Sequence, residues 1–356
     1  MQLASKLTHS ISMLLLVFLL SLDACGGGNP QLPTVRVTPT PAISAIWLSP
    51  QKDFLLQGTT TTLSVRVKGI GIQEVVFNAI RKQYPSLFLC AATASAGNIY
   101  SCDWNYSSIG NGPIELGFTI NPTAENIINP AGTLSGVVRY VEPYTNDIYA
   151  GYAAWQRGNP VAYQYSEVTA KWIVPPVHCS PGENSQVAIW AGLAGTSAGS
   201  KLIQIATLSQ CRYGYPRYEA DWEIYPDNSA ILIPNHPITS GDEITATVSF
   251  SNGTFKLFME DANKWNFSLT QAGSSSNTQM AECILEAPTL LINGQKQVAA
   301  LTNFGVVSIQ CEADNEPIAN GPQDIRYQME TKGVAKATTS LLDNDGAGFT
   351  VQWKHA

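Results

Sequence analysis

Asn111-Gly-Pro-Ile-Glu-Leu-Gly-Phe-Thr-Ile120 is the stretch that decides how this chain folds. Asn111-Gly112-Pro113 is a turn signal, and the residues after it alternate. Ile114, Leu116, Phe118 and Ile120 share one parity, while Glu115, Gly117 and Thr119 share the other. A period of two belongs to a half-buried strand, because successive side chains leave opposite faces. Thr62-Leu-Ser-Val-Arg-Val67 repeats the pattern, and Asn129-Pro130 marks another turn. No run in residues 146–356 holds a helical period for three turns. The 28 Gly and 21 Pro are scattered without a repeat, as expected of many short strands joined by turns.

Residues 43–141 therefore read as an immunoglobulin-like β-sandwich of about 100 residues. Cys90 and Cys102 are spaced for a local bridge across neighbouring strands. Nothing in this stretch carries chemistry, so its expected role is that of a spacer or adhesion module. Residues 146–356 hold longer and more aromatic strands: Ser166–Val174, Gln186–Leu193, Lys201–Leu208, Tyr218–Tyr225, Glu243–Phe250, Thr254–Met259, Met280–Leu285, Val306–Gln310, Arg326–Glu330 and Phe349–Trp353. That is enough for a second, larger antiparallel sandwich of two packed sheets, concanavalin-like in architecture. The fold class is all-β.

The N-terminus reads as a targeting segment. Lys6 precedes an apolar run, Ile11–Leu22, that is too short to span a bilayer. Leu22-Asp-Ala-Cys25 resembles the lipobox of bacterial lipoproteins, in which the Cys is lipidated and becomes the new N-terminus. The expectation is a signal peptide at 1–24 and a lipid anchor on Cys25. A flexible Gly-, Pro- and Thr-rich tether comes next, at 25–42. The protein would then sit on the outer face of a bacterial membrane, or be secreted.

Charge excludes some classes. Charged residues make up 13% of the 356, and the net charge is −7. A basic nucleic-acid binder is disfavoured. Residues 1–149 carry equal numbers of acidic and basic side chains, so the whole excess lies in residues 150–356. Acid neutralises that half and leaves few bases to repel one another, which favours a compact state at low pH. The four His are scattered and no CxxC occurs, so a metal site is not expected. Apart from Cys25 there are six Cys, an even number suited to an oxidising compartment.

Two motifs fail on context. Gly195-Thr-Ser197-Ala-Gly199 matches a serine-hydrolase elbow in letters, but a strand rather than a helix comes after it. Asp343-Asn-Asp-Gly346 begins like a calcium loop but lacks its closing Glu, and a hairpin turn explains it more simply.

The informative signal is an ordered set of fragments. Val168-Thr-Ala-Lys-Trp-Ile-Val-Pro175 comes first, then Trp190-Ala-Gly-Leu-Ala-Gly195, then Leu202-Ile-Gln-Ile-Ala-Thr207. Asp221-Trp-Glu-Ile-Tyr-Pro-Asp227 is next, and Met280-Ala-Glu-Cys-Ile-Leu-Glu-Ala-Pro288 closes the set with Asn303-Phe-Gly305 after it. In order and spacing they resemble the glutamic peptidases, the eqolisins, over roughly residues 150–356. The family's turn Asp, the Gly beside its catalytic Gln and the Trp beside its catalytic Glu are here Ala194, Ala206 and Cys283.

The resemblance implies an acid endopeptidase with a catalytic pair, Gln204 and Glu282, and no cofactor. Glu282 would be general base toward water and then general acid toward the leaving amine. Gln204 would donate to the oxyanion. Trp190 and Glu223 match positions in or beside the substrate cleft. Cys179 and Cys211 sit at strand ends flanking one turn-rich region, where a bridge would brace the Gln204 strand, and Cys283, in the place of a Trp, implies a bridge to Cys311 behind the cleft. Expected partners are protein or peptide substrates and the membrane, with the chain a monomer. The alternatives are a catalytically inactive carbohydrate- or protein-binding lipoprotein of the same fold, and a serine hydrolase at Ser197.

Overall fold

The computed structural model describes residues 43–81, 85–122, 132–155, 164–196, 199–262, 264–292, 294–320 and 323–356. The signal peptide, Cys25, the tether and Ser197 lie outside the described residues. Among the described residues there is no α-helix, only single 3-10 turns at Ser275–Asn277 and Ile318–Asn320. Ala42–Ala356 form one compact unit.

Within residues 43–141 the chain builds two facing sheets. One orders Ser44–Ser49, Thr60–Lys68, Ile99–Asn105 and Ala94–Ser95. The other orders Phe54–Leu56, Leu134–Val138, Gly112–Pro122, Ile72–Ile80 and Leu87–Ala92. Asn111–Ile120 falls in the second sheet, with Ile114, Leu116, Phe118 and Ile120 buried. They share a core with Leu63, Val65, Val67 and Phe77. Cys90 and Cys102 are bonded, with Cα atoms 6.5 Å apart. Their strands belong to different sheets, so the bridge ties the two layers together rather than crossing neighbouring strands.

From Pro143 onward the chain enters one 16-stranded sheet. Its strip of strands runs from Ile231–Leu232 at one edge to Trp265–Ala272 at the other and folds back on itself. Glu167–Ile173, Glu243–Ser251 and Thr254–Asp261 thereby pack on Ser185–Ala194, Leu202–Arg212 and Met280–Glu286. Period-two alternation supplies the contact: Val168, Ala170, Ile244, Ala246, Leu257 and Met259 meet Ile189, Ala191, Ile203, Ile205, Ala281 and Leu285 in one core. Trp172 donates its indole N–H across this core to Thr207 Oγ1 at 3.0 Å. Cys283–Cys311 also crosses it, with Cα atoms 6.0 Å apart. The bridge joins two strands that share no hydrogen-bonded ladder. Cys179–Cys211, at 5.5 Å between Cα atoms, closes the far end of the Gln204 strand.

One central strand has no counterpart among the strands expected from sequence. Tyr149–Trp155 pairs with Met280–Glu286 on one side and with Gln323–Thr331 on the other. Its small residues disguise it, yet they are required. A Cβ on Gly151, which sits at φ +136°, would meet the Cys283 carbonyl oxygen at 2.4 Å.

Candidate active site

Antiparallel pairing sets side chains directly opposite one another on the same face. Gln204 pairs with Glu223 on one side and with Gly192 on the other. Gly192 pairs in turn with Glu282, and Glu282 with Ala153. Glu223, Gln204, Gly192 and Glu282 thus form one row across four strands, on the face turned away from the main core. Gln204 and Glu282 are two strand spacings apart, about 10 Å between Cα atoms. The residue between them has no side chain. A Cβ added at Gly192 would meet Leu202 Cδ1 at 2.9 Å and Trp190 Cζ3 at 3.1 Å, both on this face. The Leu202 and Trp190 side chains close over the glycine, so no larger residue fits between the amide and the carboxyl without displacing them.

Gln204 is 7% exposed. Its Nε2 donates to Glu223 Oε2 at 2.8 Å. An amide nitrogen has two hydrogens, so one remains for another acceptor. Gln204 Oε1 is buried and accepts no hydrogen bond. A buried acceptor left empty on the row is suited to a water or a substrate N–H. Glu223 holds the amide in register. Burial raises its pKa, and the Gln204 hydrogen bond opposes that shift.

Glu282 is 6% exposed, and burial pushes its pKa up to about 7. A carboxyl that exchanges its proton near neutrality is suited to acid–base work. Two further carboxyls share the face, and sequence reasoning missed both. Burial drives Glu286 to about 8, reinforced by Glu223, Asp221 and Glu282. Asp221 is likewise raised to about 8 by burial and then by Glu223 and Glu219. Strand parity places both: Glu286 lies four residues beyond Glu282 and Asp221 two before Glu223, so each shares its neighbour's face.

Trp190 lies on this face but is 1% exposed, so it sits beneath the surface rather than along open space. It packs with Ala188, Ala206 and Ile284 and donates its indole N–H to Glu286 Oε2 at 2.8 Å. The Tyr149 ring meets it edge-on at 5.9 Å and meets Tyr327 at 6.0 Å. Ala206, where the fragment pattern has Gly, fills part of this apolar cluster. Cys283 points to the opposite face and into the main core.

The GxSxG letters lead into the strand Leu202–Arg212 and not into a helix. Asp343–Gly346 is a closed turn: Asp343 Oδ1 accepts from the Gly346 and Gly348 amides, and the Asp343 and Asn344 carbonyls accept from Arg139. Among the described residues no group of three or more His, Cys, Asp or Glu could hold a metal ion.

Residues 149–352 match the model of the Peptidase A4 family. No curated protein matches the chain. Among solved structures, scytalido-glutamic peptidase with a transition state analog inhibitor is 17% identical, with a TM-score of 0.48, over 59% of this chain and 99% of that one. Aspergilloglutamic peptidase from Aspergillus niger is 22% identical, with a TM-score of 0.39, over 48% of this chain and 99% of that one. A putative carbohydrate binding protein from Bacteroides ovatus aligns at 9% identity with a TM-score of 0.25, over 86% of this chain and 96% of that one.

Proposed function

Because the chain belongs to the Peptidase A4 family and is a glutamic-type peptidase, we propose that it is an endopeptidase whose catalytic pair is Gln204 and Glu282. The observation that carries this reading is the row Gln204–Gly192–Glu282, which sets an amide donor and a buried carboxyl on one face with only a glycine between them. A peptide carbonyl seated over Gly192 would lie within reach of both. Glu282, ionised, takes a proton from water as the water attacks the carbonyl carbon. The tetrahedral oxyanion accepts the free Nε2 hydrogen of Gln204. Protonated Glu282 then gives its proton to the departing amine, and the C–N bond breaks. Glu223 orients Gln204, while Trp190 and Glu286 hold the floor beneath. The scaffold is proposed to be a concanavalin-like sandwich carrying the site, preceded by an immunoglobulin-like one.

With Glu282 at about 7, a base role predicts that kcat/KM rises as pH climbs from 3 towards 7. Activity confined to pH 2–3 would mean that Glu282 acts first in its protonated form. Glu282→Gln and Gln204→Ala are expected to lower kcat by about 10²–10³ each, and Ser197→Ala to leave it intact. Full activity in the Glu282→Gln protein refutes the pair.

The lipobox-like Leu22–Cys25 supports anchoring at the outer face of a bacterial membrane, with the tether setting the reach of the enzyme. A Cys25→Ser protein should be released from membranes. If it stays bound and uncleaved, the anchor lies elsewhere.

A further inference from the structure

The immunoglobulin-like body borders the catalytic face. A cavity of about 610 Å³ is lined by its loop residues Ser108 and Ile109 and, from the large sheet, by Trp155, Ile325 and Tyr327. The sheet residues belong to the face that carries Gln204 and Glu282. Ile325 pairs with Ala153, which pairs with Glu282, so Ile325 extends the catalytic row by two strands. Trp155 pairs with Met280, two residues before Glu282. Tyr327 meets the Tyr149 ring that covers Trp190. Burial, and after it the nearby Glu282 charge, raises the Tyr327 hydroxyl pKa.

The loop wall is held in place. Arg81 donates to the carbonyls of Ile109 and Asn111. Arg139, buried, reaches the Asp343–Gly346 turn of the large sheet. Asp324, in the strand that carries Ile325 and Tyr327, is attracted by both guanidiniums. The volume is that of an ordinary ligand pocket, and its lining sets aromatic and aliphatic side chains beside a few polar ones, Glu142 and Asp324 among them.

We propose that this cavity is a substrate subsite, walled on one side by the immunoglobulin-like body, that takes a bulky apolar or aromatic side chain of the peptide. Three strand spacings separate Gly192, where the carbonyl is seated, from Ile325, about 14 Å. An extended chain rises about 3.4 Å per residue, so the side chain accepted is about four residues from the scissile bond. The body expected from its sequence to be a spacer thus sets specificity. The subsite rests on Gln204 and Glu282 being the cleaving pair.

The test uses capped octapeptides in which Phe or Ala occupies each position in turn. They are assayed for cleavage by the full chain and for binding to the Glu282→Gln protein. Burying an aromatic side chain predicts a preference of tenfold or more for Phe over Ala at one position about four residues from the cut. Ser108→Trp, an exposed position on the cavity rim, should bring that ratio close to one in both assays by filling the cavity. Tyr144→Ala, which removes a ring stacked edge-on against Tyr327, should shift it towards larger side chains. An unchanged Phe/Ala ratio in Ser108→Trp overturns the subsite. Cleavage that survives Glu282→Gln overturns the catalytic pair instead, and the binding ratio still decides the subsite.

Discussion

At the scale of single residues, the site depends as much on an absence as on its functional groups. Gly192 stands between Gln204 and Glu282 in the ladder, and any side chain there would project into the face both of them use. Gly192→Ala brings a methyl within 2.9 Å of Leu202 Cδ1 and 3.1 Å of the Ile203 carbonyl oxygen. Leu202 is half-buried and able to yield, so the fold should persist. The methyl should push Leu202 and Trp190 against the amide and the carboxyl, with kcat/KM falling roughly tenfold or more, since a displacement of about 1 Å in a reacting geometry costs up to 10²-fold. Steady-state kinetics beside a melting curve separate the two effects. A fully active Gly192→Ala protein would move the reacting bond away from this row.

At the scale of the element, Met280–Glu286 serves two faces at once. Glu282, Ile284 and Glu286 look onto the face that carries Gln204, while Ala281, Cys283 and Leu285 enter the core. Cys283–Cys311 fixes the core side of this strand to Val306–Ala313 in the opposite half of the sandwich. Its sequence separation of 28 residues puts the expected stabilisation at about 2–4 kcal/mol. The double substitution Cys283→Ala/Cys311→Ala should lower the denaturation midpoint accordingly and leave the Glu282 strand looser, with kcat reduced. A midpoint unchanged in chemical denaturation would mean that core packing alone secures the strand.

At the scale of the whole molecule, buried carboxyls tie stability to pH. Glu282 is raised to about 7, and Asp221, Glu286 and Asp324 to about 8. In the unfolded chain such groups titrate near 4. Between about pH 4 and 8 the folded state therefore binds more protons than the unfolded one, so stability falls as pH rises. It is fully present below about 4 and lost as pH passes through 7–8. The melting temperature should be higher at pH 4 than at pH 8 by about 5 °C or more. A flat profile, or a maximum above pH 8, would show that these carboxyls ionise freely in the native state. Melting curves at constant ionic strength decide the matter.

Period-two alternation and turn residues determined the all-β class, because a strand needs only local parity to show which face it buries. Most long strands were legible on that basis, and so was the face shared by Gln204 and its neighbours. The spaced fragments marked Gln204 and Glu282 because residue types survive in sequence even when their partners are distant. The strand Tyr149–Trp155 was not legible: Ala and Gly have weak strand propensity, and only close packing against the Cys283 carbonyl explains them. Asp221 and Glu286 shared parity with Glu223 and Glu282, but parity alone does not tell a solvated carboxyl from a buried one. Tertiary structure decided that Gly192 separates the amide from the carboxyl, that Cys283 reaches across the core and that Ile109 and Ile325 line one cavity. These are contacts between segments far apart in the chain. Sheet order and the folding-back of the strip set them, and no local pattern encodes either.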